Sequence, residues 1–222
     1  MAKRIGVVLS GCGVYDGSEI NESVITLLAI DRAGAEAICM APDIPQLHVI
    51  NHLTGEPATG ESRNVLVESA RIARGNIKDL ATIQAKDFDA LMLPGGFGAA
   101  KNLCDFAVSG ADCSVNPEVA RLVKETYAAQ KPIAAVCIAP AVLSRVLGNE
   151  NISHQLTIGT DEGTAEALQA MGSKHIACPV QDFVVDAENK LVTSPAYMLA
   201  GSISEAAEGI EKTVQALIGL IE

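Results

Sequence analysis

Apolar and polar positions alternate along this chain in two rhythms. Short, nearly continuous apolar runs at residues 5–9, 35–41, 88–93 and 133–136 have the length and branching of buried strands. Between them, apolar residues return every three or four positions, as on one face of a helix. This predicts a helix from about Ser18, capped by that serine, with Ile20, Val24, Leu27 and Leu28 inward and Gly34 as its stop. Further helices are expected over 64–73, 100–107, 115–130 (with Pro117 in its first turn), 138–147, 164–171 and about 202–221. The last of these would turn Ile203, Ala206, Ile210, Val214, Leu217 and Ile221 inward. Shorter strands are expected at 47–53, 156–158, 175–180, 183–186 and 191–193, the last pair joined by a turn at Glu188-Asn189-Lys190.

Strands alternating with helices in short steps predict an α/β fold. The expected form is a doubly wound, mostly parallel sheet with helices on both faces, a flavodoxin-like three-layer sandwich. No linker, repeat or low-complexity run interrupts the pattern, so residues 1–222 are read as one domain.

Composition sharpens this picture. Hydrophobic residues make up 49% of the chain but aromatics only 3%. Small aliphatic side chains must therefore fill the core, which suits a parallel sheet covered on both faces. The net charge of −11, with no basic stripe, argues against nucleic acid and anionic membranes as partners. No apolar run has membrane-spanning length. The N-terminal segment lacks the apolar core of a secretory signal, and the expected location is cytoplasmic. The six cysteines, at 12, 39, 104, 113, 137 and 178, have neither Cys-x-x-Cys nor zinc-like spacing. They are read as free thiols, with no metal site. His48 and His52 lie outside any helical pattern and read as surface residues.

Candidate chemistry concentrates where strands end. At Cys137 an apolar run stops and a helical pattern begins, the layout of a nucleophile elbow. A turn that tight needs small residues two before and two after the nucleophile, and Ala135 and Ala139 stand there. Pro140 suits the first helical turn. A thiol at a helix N-terminus is expected to favour the thiolate. A structural cysteine ending a core strand would have the same local sequence. Two glycine-rich loops follow other strands, Ser10-Gly11-Cys12-Gly13 and Pro94-Gly95-Gly96-Phe97-Gly98. The second would expose backbone N–H groups to an oxyanion or a phosphate, though it lacks the Gly-Lys-Ser/Thr of a P-loop. Gly11-x-Gly13-x-x-x-Gly17 misses the dinucleotide fingerprint by one residue. It reads as a loop making room, which also weakens Asp43 as a ribose ligand. Glu22 lies early in the first helix, off the expected apolar stripe, either facing solvent or serving Cys137.

Pro94-Gly95-Gly96 followed by the Cys137 elbow resembles the class I glutamine amidotransferase-like superfamily and its PfpI-type members. SGCGVYDGSEINE (10–22), NHLTGE (51–56), PGGFGAAKNL (94–103), CIAPA (137–141), LTIGTD (156–161) and TSPAYMLA (193–200) resemble the ElbB proteins, described as glyoxalases and named for isoprenoid biosynthesis. The resemblance implies Cys137 as nucleophile, Glu22 as its carboxyl partner with Glu19 as the earlier acid, and the N–H groups of Gly96 and Ile138 as oxyanion donors. It implies a cofactor-free, glutathione-independent glyoxalase acting on small dicarbonyls, and a homodimer. Two departures stand out. The elbow is Ala-x-Cys-x-Ala rather than Gly-x-Cys-x-Gly. No histidine stands after the strand that follows the elbow helix, where the chain reads Ile158-Gly159-Thr160. Amidotransferase and strong peptidase chemistry are therefore not expected. The competing expectation is a redox-sensing or protein-binding module, with Cys12 as resolving partner of Cys137.

Overall fold

The computed structural model describes residues 2–222. In chain order the elements are β1 (Arg4–Val8), α1 (Ile20–Arg32), β2 (Glu36–Ala41), β3 (Ile50–Asn51), β4 (Glu56–Pro57), α2 (Val65–Ile72), β5 (Lys78–Asp79) and β6 (Ala90–Leu93). There follow α3 (Phe106–Ser109), α4 (Pro117–Ala128), β7 (Ile133–Val136), α5 (Pro140–Asn149), β8 (His154–Leu156) and α6 (Glu162–Ala170). The chain closes with β9 (Ser173–His175), β10 (Val184–Asp186), β11 (Leu191–Ser194) and α7 (Ile203–Gly219).

Seven strands form the central sheet in the order β10-β11-β7-β6-β1-β2-β5. All its pairings are parallel except β10 with β11. Strand residues alternate between two cores. Val8, Leu91, Leu93, Ile133 and Ala135 face α4 and α5, joined by Leu122, Val123, Val142 and Leu143. Ile5, Val7, Met92, Ala134 and Val136 face the other way, against Ile25, Ile30, Val65, Ile210 and Val214 of α1, α2 and α7. The fold is thus the doubly wound, flavodoxin-like sandwich that the alternation implies. The order reverses between β1 and β6, so a crevice opens beyond their carboxyl ends.

Several local expectations need correction. Glu19, not Ser18, caps α1, its side chain accepting from the Glu22 N–H. Ser18 instead turns its hydroxyl to the Ser10 N–H at 2.8 Å. The α1 stripe is inverted at three of its four positions, and Leu27 alone packs partly buried against the core. Ile20, Val24 and Leu28 are 44%, 49% and 40% exposed, while Glu22, Ser23 and Thr26 are buried with Ile25, Ala29 and Ile30. The helix starts over the carboxyl edge of the sheet, where Glu22 meets backbone N–H donors of two other segments and Ser23 bonds the Glu19 carbonyl, while Thr26 Oγ1 is buried without a partner. Ile203 is likewise exposed, although Ala206, Ile210, Val214 and Leu217 are buried as expected. The 47–53 strand shrinks to Ile50–Asn51 in a small hairpin, and the edge strand β5 is too short and polar to show a period. The helix expected over 100–107 is a π-helical turn at Ala99–Leu103 followed by the separate α3. Beyond His175 the expected strand does not continue.

The elbow helix α5 is seated by a close approach. A Cβ on Gly148 would overlap the Met171 carbonyl oxygen. An exposed helical Gly→Ala change is stabilising by up to about 1 kcal/mol. Here the overlap wins, so Gly148→Ala should destabilise by about 1–3 kcal/mol, read as a lower urea midpoint with an unchanged slope.

Candidate active site

β7 delivers Cys137 to the carboxyl edge of the sheet. Its N–H donates to the Ser194 carbonyl at 3.0 Å, so pairing with β11 extends right up to the turn. There the backbone reverses into α5 with Cys137 at φ +61°, a strained conformation for a residue with a side chain. Ala135 and Ala139 are fully buried on either side, as the elbow requires.

Two loops close around the thiol. The loop after β6 zips onto the loop after β1. Phe97 N–H donates to the Val14 carbonyl and Gly98 N–H to the Gly17 carbonyl, each at 2.8 Å. Glu19 N–H donates to the Gly95 carbonyl at 2.9 Å. Glycine is required here. A Cβ on Gly95 would lie 2.7 Å from Glu22 Oε2 and 3.0 Å from Cys137 Sγ, and one on Gly98 would lie 2.5 Å from the Ser10 carbonyl oxygen. The same crowding explains Gly17, whose Cβ would strike the Cys12 backbone. The glycine run after β1 therefore serves loop packing. Asp43, once a ribose candidate, accepts from Asn64 Nδ2 at 2.7 Å.

Glu22 is wholly buried. Its Oε2 accepts from the Gly95 N–H at 2.9 Å and its Oε1 from the Tyr197 N–H at 3.1 Å. Burial pushes this carboxyl up to about 7, against the pull of the Tyr197 N–H. The Glu22 carboxyl also bonds the Cys137 side chain. The thiol, 8% exposed, is pushed well above its usual range by burial and then by the Glu22 charge. The N–H groups of Gly96 and Ile138 point at the sulfur and pull the other way. The expected low thiol pKa is thus overturned: the helix terminus is outweighed by desolvation and a neighbouring carboxylate. As pH rises through about 7 the pair gives up the first of its two protons and keeps the second. Glu19, also buried, is raised by its own burial and is fixed by its bond to the Glu22 N–H at 2.6 Å.

Cys137, Glu19, Gly96 and Ile138 line one cavity of about 330 Å³, with Val14, Phe97, Ala100, Phe106, Ala107, Thr164, Tyr197 and Met198. Sequence reasoning missed the wall from Phe106 to Met198. Its members belong to three separate elements and carry no local signal, although TSPAYMLA at 193–200 did fall within the family resemblance. No histidine lines the cavity. His154 is buried with Nε2 2.6 Å from Ser173 Oγ, and His175 Nε2 accepts from the Ile158 N–H. His52 is exposed but not idle, since its Nε2 accepts from the Tyr15 N–H at 3.2 Å. Cys12 faces Glu68, Arg71, Asp16 and Arg63 and is absent from the cavity wall. Among the described residues no cluster of metal-ligating side chains occurs.

The profile of the DJ-1/PfpI family matches residues 14–200. The chain belongs to the DJ-1/PfpI family. A human relative, "Glutamine amidotransferase-like class 1 domain-containing protein 3, mitochondrial", is 49% identical over 99% of this chain and 84% of its own length. A solved isoprenoid biosynthesis protein with an amidotransferase-like domain, from Ehrlichia chaffeensis, is 38% identical, covers both chains fully and superposes with a TM-score of 0.92. This bears out the resemblance to ElbB-type DJ-1/PfpI proteins. Glyoxalase III from Candida albicans, at 13% identity over 99% and 98% of the two chains, shares the fold with a TM-score of 0.64. The human, rat and zebrafish relatives are all named mitochondrial, which overturns the cytoplasmic expectation. That expectation rested on a missing secretory signal and a missing membrane span, and neither bears on mitochondria.

The shared proton makes a test. Alkylation of Cys137 should rise as pH passes about 7, where the pair first ionises, and rise again only at strongly alkaline pH. Glu22→Gln should lose the lower step, as mass spectrometry of the labelled protein would show. The same carboxyl affects stability. Glu22 sits above its ordinary value of 4.5, so its contribution is full below that value and is lost as pH rises through about 7. The melting temperature of the wild type should therefore fall relative to Glu22→Gln between pH 5 and 8.

Proposed function

We propose that this DJ-1/PfpI member is a cofactor-independent, glutathione-independent glyoxalase that converts glyoxal-type dicarbonyls to 2-hydroxy acids, glyoxal to glycolate in the simplest case. The observation that carries this reading is a wholly buried Glu22 carboxyl held beside the Cys137 thiol, with the N–H groups of Gly96 and Ile138 at the sulfur and no histidine lining the cavity. A cysteine hydrolase needs a base that can hand a proton to a leaving group. A proton shift between adjacent carbons needs a carboxyl that can take and return the same proton.

The steps balance within the site. Sγ bonds to the aldehyde carbon while its proton passes through Glu22 to the carbonyl oxygen, giving a hemithioacetal. The N–H groups of Gly96 and Ile138 lie where that oxygen becomes anionic. Glu22 takes the proton from the former aldehyde carbon, leaving an enediolate. The proton returns to the adjacent carbon, the hydroxyl proton of the first carbon passes to the neighbouring alkoxide oxygen, and a thioester of the 2-hydroxy acid results. Water attacks the thioester, the C–S bond breaks, and the thiol regains its proton. One carbon is oxidised and its neighbour reduced, so the sum is dicarbonyl plus water and no outside oxidant enters. Glyoxalase III from Candida albicans shares the fold, and the reading of the reaction rests on the residues of the site.

The redox-module alternative has less support. It needs a resolving thiol, and no second cysteine lines the Cys137 cavity. A homodimer is the expected assembly, and the exposed stripe of Ile20, Val24 and Leu28 on α1 favours it. Apolar residues in a row at that spacing suit burial against a second copy. Light scattering should give a dimer mass for the wild type and a monomer mass for Val24→Glu.

Turnover tests the activity. Cys137→Ser should abolish glycolate formation from glyoxal, because a hydroxyl with no histidine base is a poor nucleophile. Glu22→Gln should lower kcat by about 10²–10⁴-fold with the circular dichroism spectrum unchanged. Near wild-type turnover in folded Glu22→Gln would remove the carboxyl from the mechanism and favour the redox module.

A further inference from the structure

The cavity above Cys137 is far larger than the pair of carbonyls in glyoxal. Its volume is about 330 Å³, whereas a cavity of ~150 Å³ already accepts a benzene ring and one water occupies only ~30 Å³. Its wall is mainly apolar: Val14, Phe97, Ala100, Phe106, Ala107 and Met198. No lysine, arginine or histidine reaches it. Lys101 stands behind the wall, its ammonium 5.0 Å from the Phe97 ring centre and bonded to the Tyr15 carbonyl at 3.0 Å. The ionisable carboxyl on the wall is Glu19, with Glu22 buried behind the thiol. Away from the Gly96 and Ile138 N–H groups at the thiol, an anionic ligand would lose its hydration and meet no cation, only the Glu19 carboxyl. An apolar side chain would displace water from a surface that cannot bond it.

We infer that this cavity selects uncharged ligands with an apolar side chain, so that the dicarbonyl substrates are 2-oxoaldehydes bulkier than glyoxal and without an acidic group. The inference rests on the glyoxalase reading for the reaction and on the cavity alone for the selectivity. The carbonyl pair would lie at the thiol, between the N–H groups of Gly96 and Ile138. The side chain would lie outward, against Phe97, Phe106 and Met198. Binding strength gained there is available for orienting the reacting carbon over Sγ.

Two measurements separate these parts. The first compares kcat/KM for glyoxal, methylglyoxal, phenylglyoxal and ring-carboxylated phenylglyoxal. Phenylglyoxal should exceed glyoxal by about tenfold or more, and the carboxylated form should fall back by at least as much. The second needs no turnover. Alkylation of Cys137 by iodoacetate, iodoacetamide and N-phenyl iodoacetamide is followed by mass spectrometry, each rate divided by that of a free thiol in solution. The N-phenyl reagent should be fastest and iodoacetate slowest, with about tenfold or more between them. Ala107→Arg places a cation on an exposed part of the wall and should narrow the carboxylate discrimination about tenfold in both assays. Thr164→Lys provides the same test if the first variant does not fold. A flat or reversed order of alkylation overturns the selectivity. The expected order with no dicarbonyl consumed upholds the selectivity and sinks the glyoxalase reading. Turnover of glyoxal as fast as phenylglyoxal upholds the reaction and overturns the inference about its substrates.

Discussion

A carboxyl group buried against a thiol governs this structure. Glu22 has no water to share its charge and meets only two backbone N–H groups and Cys137 Sγ. Such burial is costly unless the group keeps its proton or finds donors at bonding distance. Everything near it serves one of those ends. Gly95 lacks a side chain so that its N–H can reach Oε2. Pro195 and Ala196 fold back so that the Tyr197 N–H reaches Oε1, with Ala196 held at φ +43°. Glu19 caps the helix so that Glu22 starts its first turn in register.

The sheet makes this arrangement possible without itself taking part in the chemistry. β1, β6 and β7 lie side by side, and their loops leave at one edge. Thiol, glycine loop and helix start then converge although Glu22 and Cys137, at the extremes, are more than about a hundred residues apart along the chain. Backbone strain at Cys137 is tolerated because the Ser194 carbonyl holds its N–H and α5 is wedged against the Met171 carbonyl. A site built this way is rigid before any ligand arrives, which is what a short-lived anionic intermediate needs.

The sequence made some of this plain and hid the rest for identifiable reasons. The elbow was legible because strand, cysteine, small residues and Pro140 are contiguous, and local sterics demand that combination. The glycine loop after β6 was legible for the same reason. The α1 helix was legible as a helix but not in its orientation. Its apolar residues have good helical spacing, yet the neighbours that decide which face is buried come from the distant Gly95 and Tyr197 segments. The titration of Cys137 was misjudged likewise. A helix start can be read locally, whereas full desolvation and a carboxyl brought from residue 22 cannot. The cavity wall drew on Phe106, Thr164 and Met198, and nothing near them in the chain indicates a shared surface.

The inverted α1 bears on how this protein would respond to redesign. A hydropathy plot marks Ile20, Val24 and Leu28 as residues to protect and Glu22, Ser23 and Thr26 as free to vary. For folding of a single chain the ranking runs the other way, since the first three face outward and the second three are sealed in. A library built to improve solubility could replace these three exposed positions and leave the interior, Ile25, Ala29 and Ile30 included, untouched. One that randomised its polar positions would be depleted of folded members. A substitution matrix that scores only chemical likeness would rank both libraries wrongly, because Glu22, Ser23 and Thr26 are kept from water while Ile20, Val24 and Leu28 meet it.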